Sequence, residues 1–267
     1  MTRAAAEEAA RANEVHGRDG VEPGTNGVCT AAVSPSLLGV VGGAAAYELK
    51  FLLTDSLAAQ VEAWAQERLA FDPHADPLLD NAYRIHSLYL DTEALDGYRR
   101  TPSFARRKFR IRRYGTESCL FLERKTRSGQ RVRKRRTPIP DSEFIRVHVA
   151  ELDPAWDGCW FQRRLLARRL QPACQITYDR VAHVGMENDS PLRLTLDRGI
   201  LGARASAWDV AEPHDGRRLL AGQVVLELKY RSVLPARFKQ LIHEFQLTPQ
   251  PVSKYRRCIE AWGTASP

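Results

Sequence analysis

The sequence predicts an α+β fold in which an antiparallel β-barrel has helices packed around its outside. Two observations lead to this prediction. Several segments alternate charged and apolar residues with a period of two, which is typical of β-strands. Amphipathic helical segments interrupt and follow these strands, and each needs an apolar sheet surface to cover. If the helices cover apolar faces on the outside, the charged faces must line the inside of a closed or nearly closed barrel.

The length and charge of the chain indicate which class of protein it belongs to and what kind of partner it binds. It has 267 residues, of which 43% are hydrophobic, enough for a sizeable core. Its 40 lysines and arginines exceed its 32 acidic residues, and the net charge of +8 indicates a polyanionic partner such as nucleic acid, nucleotide or anionic lipid. No apolar run approaches the roughly 18 to 20 residues of a membrane-spanning helix, and the N-terminus lacks a signal peptide's hydrophobic segment. We therefore expect a cytoplasmic protein with no transmembrane segment of its own.

The chain is predicted to consist of a tail and one domain. Residues 1–43 mix Ala, Glu, Arg and Gly with little periodic apolar content, so they are expected to form a mobile N-terminal tail. Residues 44–267 contain no repeat of fixed period and no long low-complexity tract. One domain over 44–267 is the simplest interpretation.

The first half of the domain is predicted to contain five strands. YELKF (47–51) alternates charged and apolar residues, and Thr54 or Asp55 then provides the N-cap of a helix. The Ser128-Gly129 pair suits the tight turn of a hairpin. The strands are placed at 47–51, 83–91, 104–115, 118–127 and 130–139, and the helix at about 55–69, with a short helix within 92–100.

The second half is predicted to contain three strands and three helices. Pro235 suits the first turn of a helix, because the first N–H groups of a helix have no partner within it. The strands are placed at 172–184, 191–199 and 223–231, and the helices at about 158–170, 235–245 and 253–262. The strands at 104–115, 118–127 and 130–139 follow one another through short turns, so they are expected to form an antiparallel meander.

One face of the predicted strands is charged. Lys108, Arg110 and Arg112 share one face of their strand, whereas the other face is apolar. For any single strand, such a face is usually the solvated side of an antiparallel sheet. A Glu-x-Lys pair, however, recurs in three separate strands, as Glu48/Lys50, Glu123/Lys125 and Glu227/Lys229. This recurrence favours a charged lumen.

The predicted lumen contains more cations than carboxylates. Its expected members are the cations Lys50, Lys108, Arg110, Arg112, Lys125, Lys134, Arg180, Arg193 and Lys229, and the carboxylates Glu48, Glu123, Asp197 and Glu227. Buried charges need partners or water. The excess of cations therefore favours a bound polyanion, with a divalent metal on the carboxylates.

The chain resembles the VTC domain of polyphosphate polymerases over about residues 45–262. This family is a branch of the triphosphate tunnel metalloenzymes, which also include CYTH-type triphosphatases. The resemblance is carried by segments in family order: YELKF, KFRIRRYG, LERKT, RKRR, TYDR, LTLDRG, VVLELKY and VSKYRRC. It implies that the barrel is a triphosphate tunnel, that ATP and inorganic polyphosphate are the partners, and that Mn²⁺ or Mg²⁺ is the cofactor.

The resemblance also implies an activity and roles for individual residues. The expected enzyme is a metal-dependent phosphotransferase that moves the γ-phosphate of ATP to a growing polyphosphate chain. The expected catalytic residues are Lys50, Arg110, Arg112, Lys125 and Glu227. Further phosphate contacts are expected from Lys134, Tyr178, Arg180, Lys229, Ser253 and Lys254. The metal is expected on Glu227, with Glu48 and Glu123 as further candidates.

Three of these assignments have structural alternatives. Lys134 depends on the register of its strand, because the run Arg133–Arg136 permits a shift by one residue. Tyr178 is equally consistent with a core aromatic whose hydroxyl is satisfied. Ser253 is equally consistent with a helix N-cap.

Two other functions remain open. The first is a tunnel triphosphatase that hydrolyses triphosphate or nucleotide. Ala46 argues against it, because it replaces the first glutamate of the Glu-x-Glu-x-Lys signature of CYTH-type hydrolases. The second is a non-catalytic binder of polyphosphate or nucleic acid, which the basic run 131–136 favours. That run lacks interleaved aromatic residues for base stacking, so nucleic acid is not the expected partner. The sequence also leaves open a membrane-protein partner that receives the product.

Overall fold

The computed structural model describes residues 46–263, apart from Ala105 and Gln130. The predicted tail, residues 1–43, lies outside the described residues, as do positions 44–45 and 264–267 of the predicted domain. Among the residues that the structure describes, no helix is long and apolar enough to cross a membrane.

The strands and helices expected from the sequence are present in the described chain. The strands are β1 (Ala46–Thr54), β2 (Ala70–Phe71), β3 (Ala82–Asp91), β4 (Arg107–Tyr114), β5 (Cys119–Ser128), β6 (Arg131–Pro140), β7 (Gln171–Glu187), β8 (Ser190–Arg204), β9 (Arg217–Arg218) and β10 (Gln223–Tyr230). The α-helices are α1 (Asp55–Arg68), α2 (Asp96–Arg99), α3 (Cys159–Arg168), α4 (Ala236–Glu244) and α5 (Lys254–Ala261). Two 3₁₀ helices cover Pro77–Leu79 and Asp141–Val147. Thr54, not Asp55, caps α1, because its hydroxyl accepts a hydrogen bond from the Leu57 N–H.

The strands close into an antiparallel ring, as the sequence predicts. The ring runs in the order β7, β3, β4, β5, β6, β1, β10 and β8, and β8 pairs back with β7. The short strands β2 and β9 extend β7 and β8. The contact between β1 and β6 is the shortest in the ring, with the pairs Ala46–Val132 and Tyr47–Arg131. The first strand pairs along its whole length with the last one, β10.

Helices cover the apolar outer face of the ring on two sides. On one side, Val61 of α1 and Phe238 of α4 are buried in one cluster with Phe51 of β1 and Leu226 of β10. On the other, α3 and the 3₁₀ helix Asp141–Val147 cover the outer faces of β4 and β5. Burial of this kind stabilises by about 25 cal/mol per Å² of apolar surface removed from water. The outer cover is what turns the charged strand faces inward.

Helix α5 packs against inner-face residues of the ring. Tyr255 and Cys258 belong to one buried cluster with Tyr89 of β3 and Ile176 of β7. The approach is close at Gly202 of β8, where a Cβ atom would lie 2.8 Å from the Cys258 sulfur. Part of the barrel interior is therefore filled by α5, and the charged residues line the rest.

Candidate functional site

The Glu-x-Lys pairs of β1 and β10 lie opposite each other on the inner face of the barrel. The antiparallel register places Lys50 opposite Glu227 and Glu48 opposite Lys229. The Lys50 Nζ lies 2.8 Å from Glu227 and 3.1 Å from Glu48, so one ammonium contacts both carboxylates. Lys125 of β5 approaches Glu48 to 2.8 Å, and Lys229 forms an ion pair with Glu227. We call Glu48 and Glu227 the acidic pair.

The surrounding lysines keep the acidic pair ionised. Burial and the charge of Glu227 oppose ionisation of Glu48, yet Lys125 and Lys50 lower its pKa to about 2. Burial likewise opposes ionisation of Glu227, and Lys229 and Lys50 hold its pKa well below the usual value. The pKa of Lys50 is raised, because the two carboxylates outweigh the effect of its burial. Glu48, Glu227 and Lys50 are thus charged at neutral pH.

A second cluster surrounds Glu123 on the inner face of β5. This buried carboxylate accepts hydrogen bonds from Arg110 of β4 and Arg136 of β6, each at 2.6 Å, and Lys134 lies 3.4 Å away. Burial opposes its ionisation, but these cations hold the pKa of Glu123 well below the usual value. Glu123 shares no cation with the acidic pair in these contacts.

A third cluster joins β7, β8 and α5. Asp197 of β8 is fully buried and accepts two hydrogen bonds from Arg180 of β7, at 2.6 and 2.8 Å. Lys254, the first residue of α5, donates to the same carboxylate. Burial opposes ionisation of Asp197, and the two cations nevertheless lower its pKa. The start of α5 is therefore tied to the barrel interior by charge.

Arg112 and Lys108 have no carboxylate partner among the described residues. Arg112 donates to Ser87 at 3.1 Å and to the hydroxyl of Tyr178 at 3.0 Å. Lys108 donates to the Ser253 hydroxyl at 2.7 Å. Burial, and then repulsion from Lys50 and other cations, lowers the pKa of Lys108 to about 7. These two cations are the ones most in need of an anion.

The structural alternatives for Tyr178 and Ser253 are observed. Tyr178 is buried, and its hydroxyl accepts hydrogen bonds from arginine side chains. Ser253 is the N-cap of α5 and accepts from the Arg256 N–H at 3.3 Å. Neither contact removes them from the lumen, because the same hydroxyls face Arg112 and Lys108.

The residues predicted for the site are brought together around one interior. Lys134 lies opposite Lys125 in the register and points to Glu123, so the unshifted register holds. Arg193, by contrast, is paired with Asp72, outside the predicted set. Sequence reasoning missed Arg136, although it stands two residues after Lys134 and therefore on the same strand face.

The carboxylates of the lumen differ in how well they suit a divalent cation. Among residues 46–263, as far as they are described, no group of three or more His, Cys, Asp or Glu could hold a metal alone. The acidic pair nevertheless fits Mn²⁺ or Mg²⁺, which need hard oxygen donors and commonly take one or two carboxylates together with substrate phosphates. The position of the Lys50 ammonium shows that a positive charge is stabilised between these carboxylates. Glu123, held by three cations, fits less well.

Comparisons with known proteins give one family. Residues 45–262 match the family model of the VTC domain. None of the curated proteins compared with the chain matches it. 

Solved structures give a broader likeness. A candidate adenylate cyclase from Bacillus halodurans is 13% identical with a TM-score of 0.49, over 84% of this chain and 100% of that one. A Hippeastrum protein described as a candidate adenylyl cyclase with a dominant triphosphatase activity is 17% identical with a TM-score of 0.46, over 81% and 96%. The PH1819 protein of Pyrococcus horikoshii is 14% identical with a TM-score of 0.44, over 81% and 99%. At these scores the likeness carries no inference about activity.

Proposed function

The chain belongs to the VTC-domain family, and from this membership we propose that it transfers the γ-phosphate of ATP to a growing polyphosphate chain inside its barrel. The proposed enzyme is a metal-dependent phosphotransferase. Its substrates are ATP and inorganic polyphosphate, and its cofactor is Mn²⁺ or Mg²⁺.

The observation that carries the proposal is the shortage of negative charge in the lumen. Glu48, Glu123 and Glu227 each serve at least two cations, and Arg112 and Lys108 have no carboxylate at all among the described residues. A linear polyanion supplies negative charge at regular intervals along such an interior. Two buried polar atoms, the Thr195 hydroxyl and Arg193 Nε, also have no hydrogen-bond partner in the described part of the chain.

The lumen offers what phosphoryl transfer needs. The reaction requires little covalent participation by the protein, but the phosphates must be positioned and the charge on the transferred group must be neutralised. The guanidinium groups of Arg110 and Arg112, two residues apart on β4, can each hold two phosphate oxygens. Lys50, Lys125 and Lys229 are flexible point charges that can move from carboxylate to phosphate.

The acidic pair would hold the divalent cation. When bound, this cation would neutralise phosphate oxygens of the nucleotide and stabilise the charge that develops during transfer. Glu48 and Glu227 are ionised without it, because their lysine partners depress their pKa values. The chain's own contribution is therefore a pair of carboxylates that needs no deprotonation before the metal binds.

Ala46 supports synthesis over hydrolysis. It lies two residues before Glu48 on the same face of β1, so a carboxylate at this position would face the same interior as the acidic pair. The hydrolase signature has a glutamate there, and this chain lacks it. The acceptor of the phosphoryl group is then more readily a phosphate chain than a metal-activated water.

Incubation of the purified protein with ATP and Mn²⁺, followed by sizing of the products on a gel, tests the proposal. We expect a ladder of polyphosphate chains that disappears when the metal is chelated. Release of orthophosphate without chains would replace the polymerase by a triphosphatase. Absence of both products, with polyphosphate still bound, would leave a non-catalytic binder.

Lys108 makes phosphate binding dependent on pH. Its pKa of about 7 in the free protein leaves it mostly neutral at about pH 8. Because a bound anion favours the ammonium form, we expect tripolyphosphate binding at this pH to be accompanied by uptake of roughly one proton at Lys108. Calorimetry in two buffers of different ionisation enthalpy measures this uptake.

Lys108→Arg is the matched variant for this measurement. Arginine keeps the positive charge but stays protonated throughout the pH range. The variant should bind tripolyphosphate without the additional proton at about pH 8, and the two proteins should behave alike at about pH 6, where Lys108 is already charged. Equal proton uptake by both proteins at the higher pH would contradict the assignment.

A further inference from the structure

A cluster of arginines lies on the outside of the barrel, apart from the lumen. Its members come from β4, β5, β6 and α3, and we call them the arginine patch: Arg107, Arg124, Arg135, Arg164 and Arg168. The strand register places Arg124 beside Arg135, and Phe109 in the same row is buried beneath α3. Alternation of strand faces therefore places Arg107, Arg124 and Arg135 on the outer surface, and α3, which carries Arg164 and Arg168, packs on that surface.

The arginine patch has no counterion in the described part of the chain. Many other arginines of the protein, such as Arg84, Arg146 and Arg198, are ion-paired with carboxylates, but no member of the patch is. Arg107 and Arg168 donate hydrogen bonds to backbone carbonyl groups, and the Arg168 guanidinium also lies 5.3 Å from the centroid of the Phe104 ring. Burial, followed by repulsion from Arg164 and Arg135, lowers the pKa of Arg124. Such like-charge clustering is unfavourable in the absence of an anion.

Trp160 of α3 makes cation–π contacts with two arginines of the patch. The guanidinium of Arg135 lies 4.1 Å from the centroid of its ring and that of Arg124 lies 5.8 Å away. The indole N–H donates to Thr137. Because arginines already occupy the ring, Trp160 is not a platform on which a nucleobase can stack. The patch is therefore suited to a partner that offers phosphate charge without bases.

The patch lies directly behind lysines of the lumen. Lys125 and Lys134 face each other in one row of the β5–β6 hairpin and point inward, whereas Arg124 and Arg135 form the next row and point outward. The two surfaces meet near the tip of this hairpin, where the exposed residues among those described are Arg127, Ser128, Gly129, Arg131 and Arg133. From Lys125 to Ser128 is three residues, or about 10 Å of strand. A basic path thus leads from the lumen over the hairpin tip to the patch.

We propose that the arginine patch is a second polyphosphate site, which holds the part of a chain that has left the lumen over the β5–β6 hairpin. The proposal rests on the proposed function, because the growing chain is its ligand. Arg135 and Arg164 are exposed and can contact phosphate oxygens directly. The site would lengthen the surface that holds a chain, so long chains should bind more tightly than short ones.

The double variant Arg135→Gln/Arg164→Gln tests the patch. Binding of tripolyphosphate and of long-chain polyphosphate is measured without metal, so that no turnover occurs. We expect the affinity for the long chain to fall by at least about tenfold, since two charge-assisted contacts are lost, and the affinity for tripolyphosphate to stay within about twofold. The dependence of long-chain affinity on salt should also become shallower.

Arg68→Gln/Arg146→Gln is the matched control. It removes the same charge from two surface arginines that are ion-paired with Glu67 and Asp153. The control should bind long chains like the wild type, and circular dichroism should show both double variants folded. If both double variants lost the same affinity for long-chain polyphosphate, the loss would follow from the lower net charge alone, and the proposal would be overturned. The proposal would also be overturned if Arg135→Gln/Arg164→Gln lost affinity for a DNA oligonucleotide or an anionic phospholipid vesicle while its affinity for polyphosphate stayed unchanged.

The product assay with ATP and Mn²⁺ separates this proposal from the proposed function. Patch-dependent binding of long chains by a protein that makes none would contradict the polymerase assignment while supporting the outer site. Chain synthesis by a protein whose long-chain affinity does not depend on the patch would contradict the outer site alone.

Discussion

Glu227→Gln is expected to reduce product formation from ATP by at least about a hundredfold, and metal-free ATP affinity should stay within a few-fold of the wild type. Glutamine keeps the size of the side chain but removes a charge that a divalent cation needs. It also leaves one oxygen where two accepted from Lys50 and Lys229, and it removes the charge that paired with both, so the two lysines become more available to phosphate. Nucleotide binding should therefore not suffer, and the loss should appear in turnover.

The measurement is product formation across a Mn²⁺ titration, with calorimetry of ATP binding in the absence of metal. Glu67→Gln, on an exposed ion pair with Arg68, is the control and should retain the wild-type rate. Arg110→Ala should give the contrasting result, because it removes a proposed phosphate contact: we expect binding and turnover both to weaken, by about 1.5 to 3 kcal/mol or roughly tenfold to a hundredfold. A near-normal rate for Glu227→Gln would move the metal assignment to Glu48, which shares Lys50 with Glu227.

Asp197→Ala is expected to lower the free energy of unfolding by about 3 to 5 kcal/mol. The change leaves Arg180 and Lys254 buried without their common carboxylate. An unpaired buried charge is far more costly than the loss of an exposed ion pair. Because Lys254 begins α5, the variant should also loosen this helix from the barrel interior.

Urea unfolding at neutral pH measures the effect. Glu62→Ala, which removes the partner of Arg198 on a more exposed pair, should cost about 1 kcal/mol or less. The pKa of Asp197 is lowered in the folded protein, so its contribution to stability is present above the unfolded pKa and is lost as the pH falls. The difference between wild type and Asp197→Ala should therefore shrink in acid. Equal stability of Asp197→Ala and Glu62→Ala at neutral pH would contradict the buried-charge argument.

The closed barrel could be predicted because two local patterns agreed. Charged and apolar residues alternate in YELKF and again in QVVLELKY, and amphipathic helices such as α4 need an apolar face to cover. Helices on the apolar face leave the charged face either solvated or inside a barrel, and the recurrence of the Glu-x-Lys pair in three strands favoured the barrel. The β5–β6 register could not be predicted from the turn, because Ser128-Gly129 as a two-residue loop would place Lys125 opposite Val132, whereas Lys125 lies opposite Lys134.

The pairing of charges within the lumen could not be predicted. Which cation meets Glu123 depends on the order of strands around the ring, and β4 and β6 both contribute to it. The position of α5 could not be predicted either, because it also depends on how the whole barrel is arranged. Its apolar stripe, with Tyr255 and Cys258, predicts burial but does not say whether the helix covers the outside of the barrel or enters it.

The pairing of β1 with β10 has a consequence for how the protein is made. These strands are separated by most of the domain, so the ring cannot close during synthesis until residues 223–230 have left the ribosome. Until then Lys50 lacks Glu227, and the lumen charges that depend on this strand remain solvated. Contacts between segments so distant in the chain are typical of slow folding, because loop-closure entropy must be overcome before they form. The charged interior is therefore assembled late, once β10 has been synthesised.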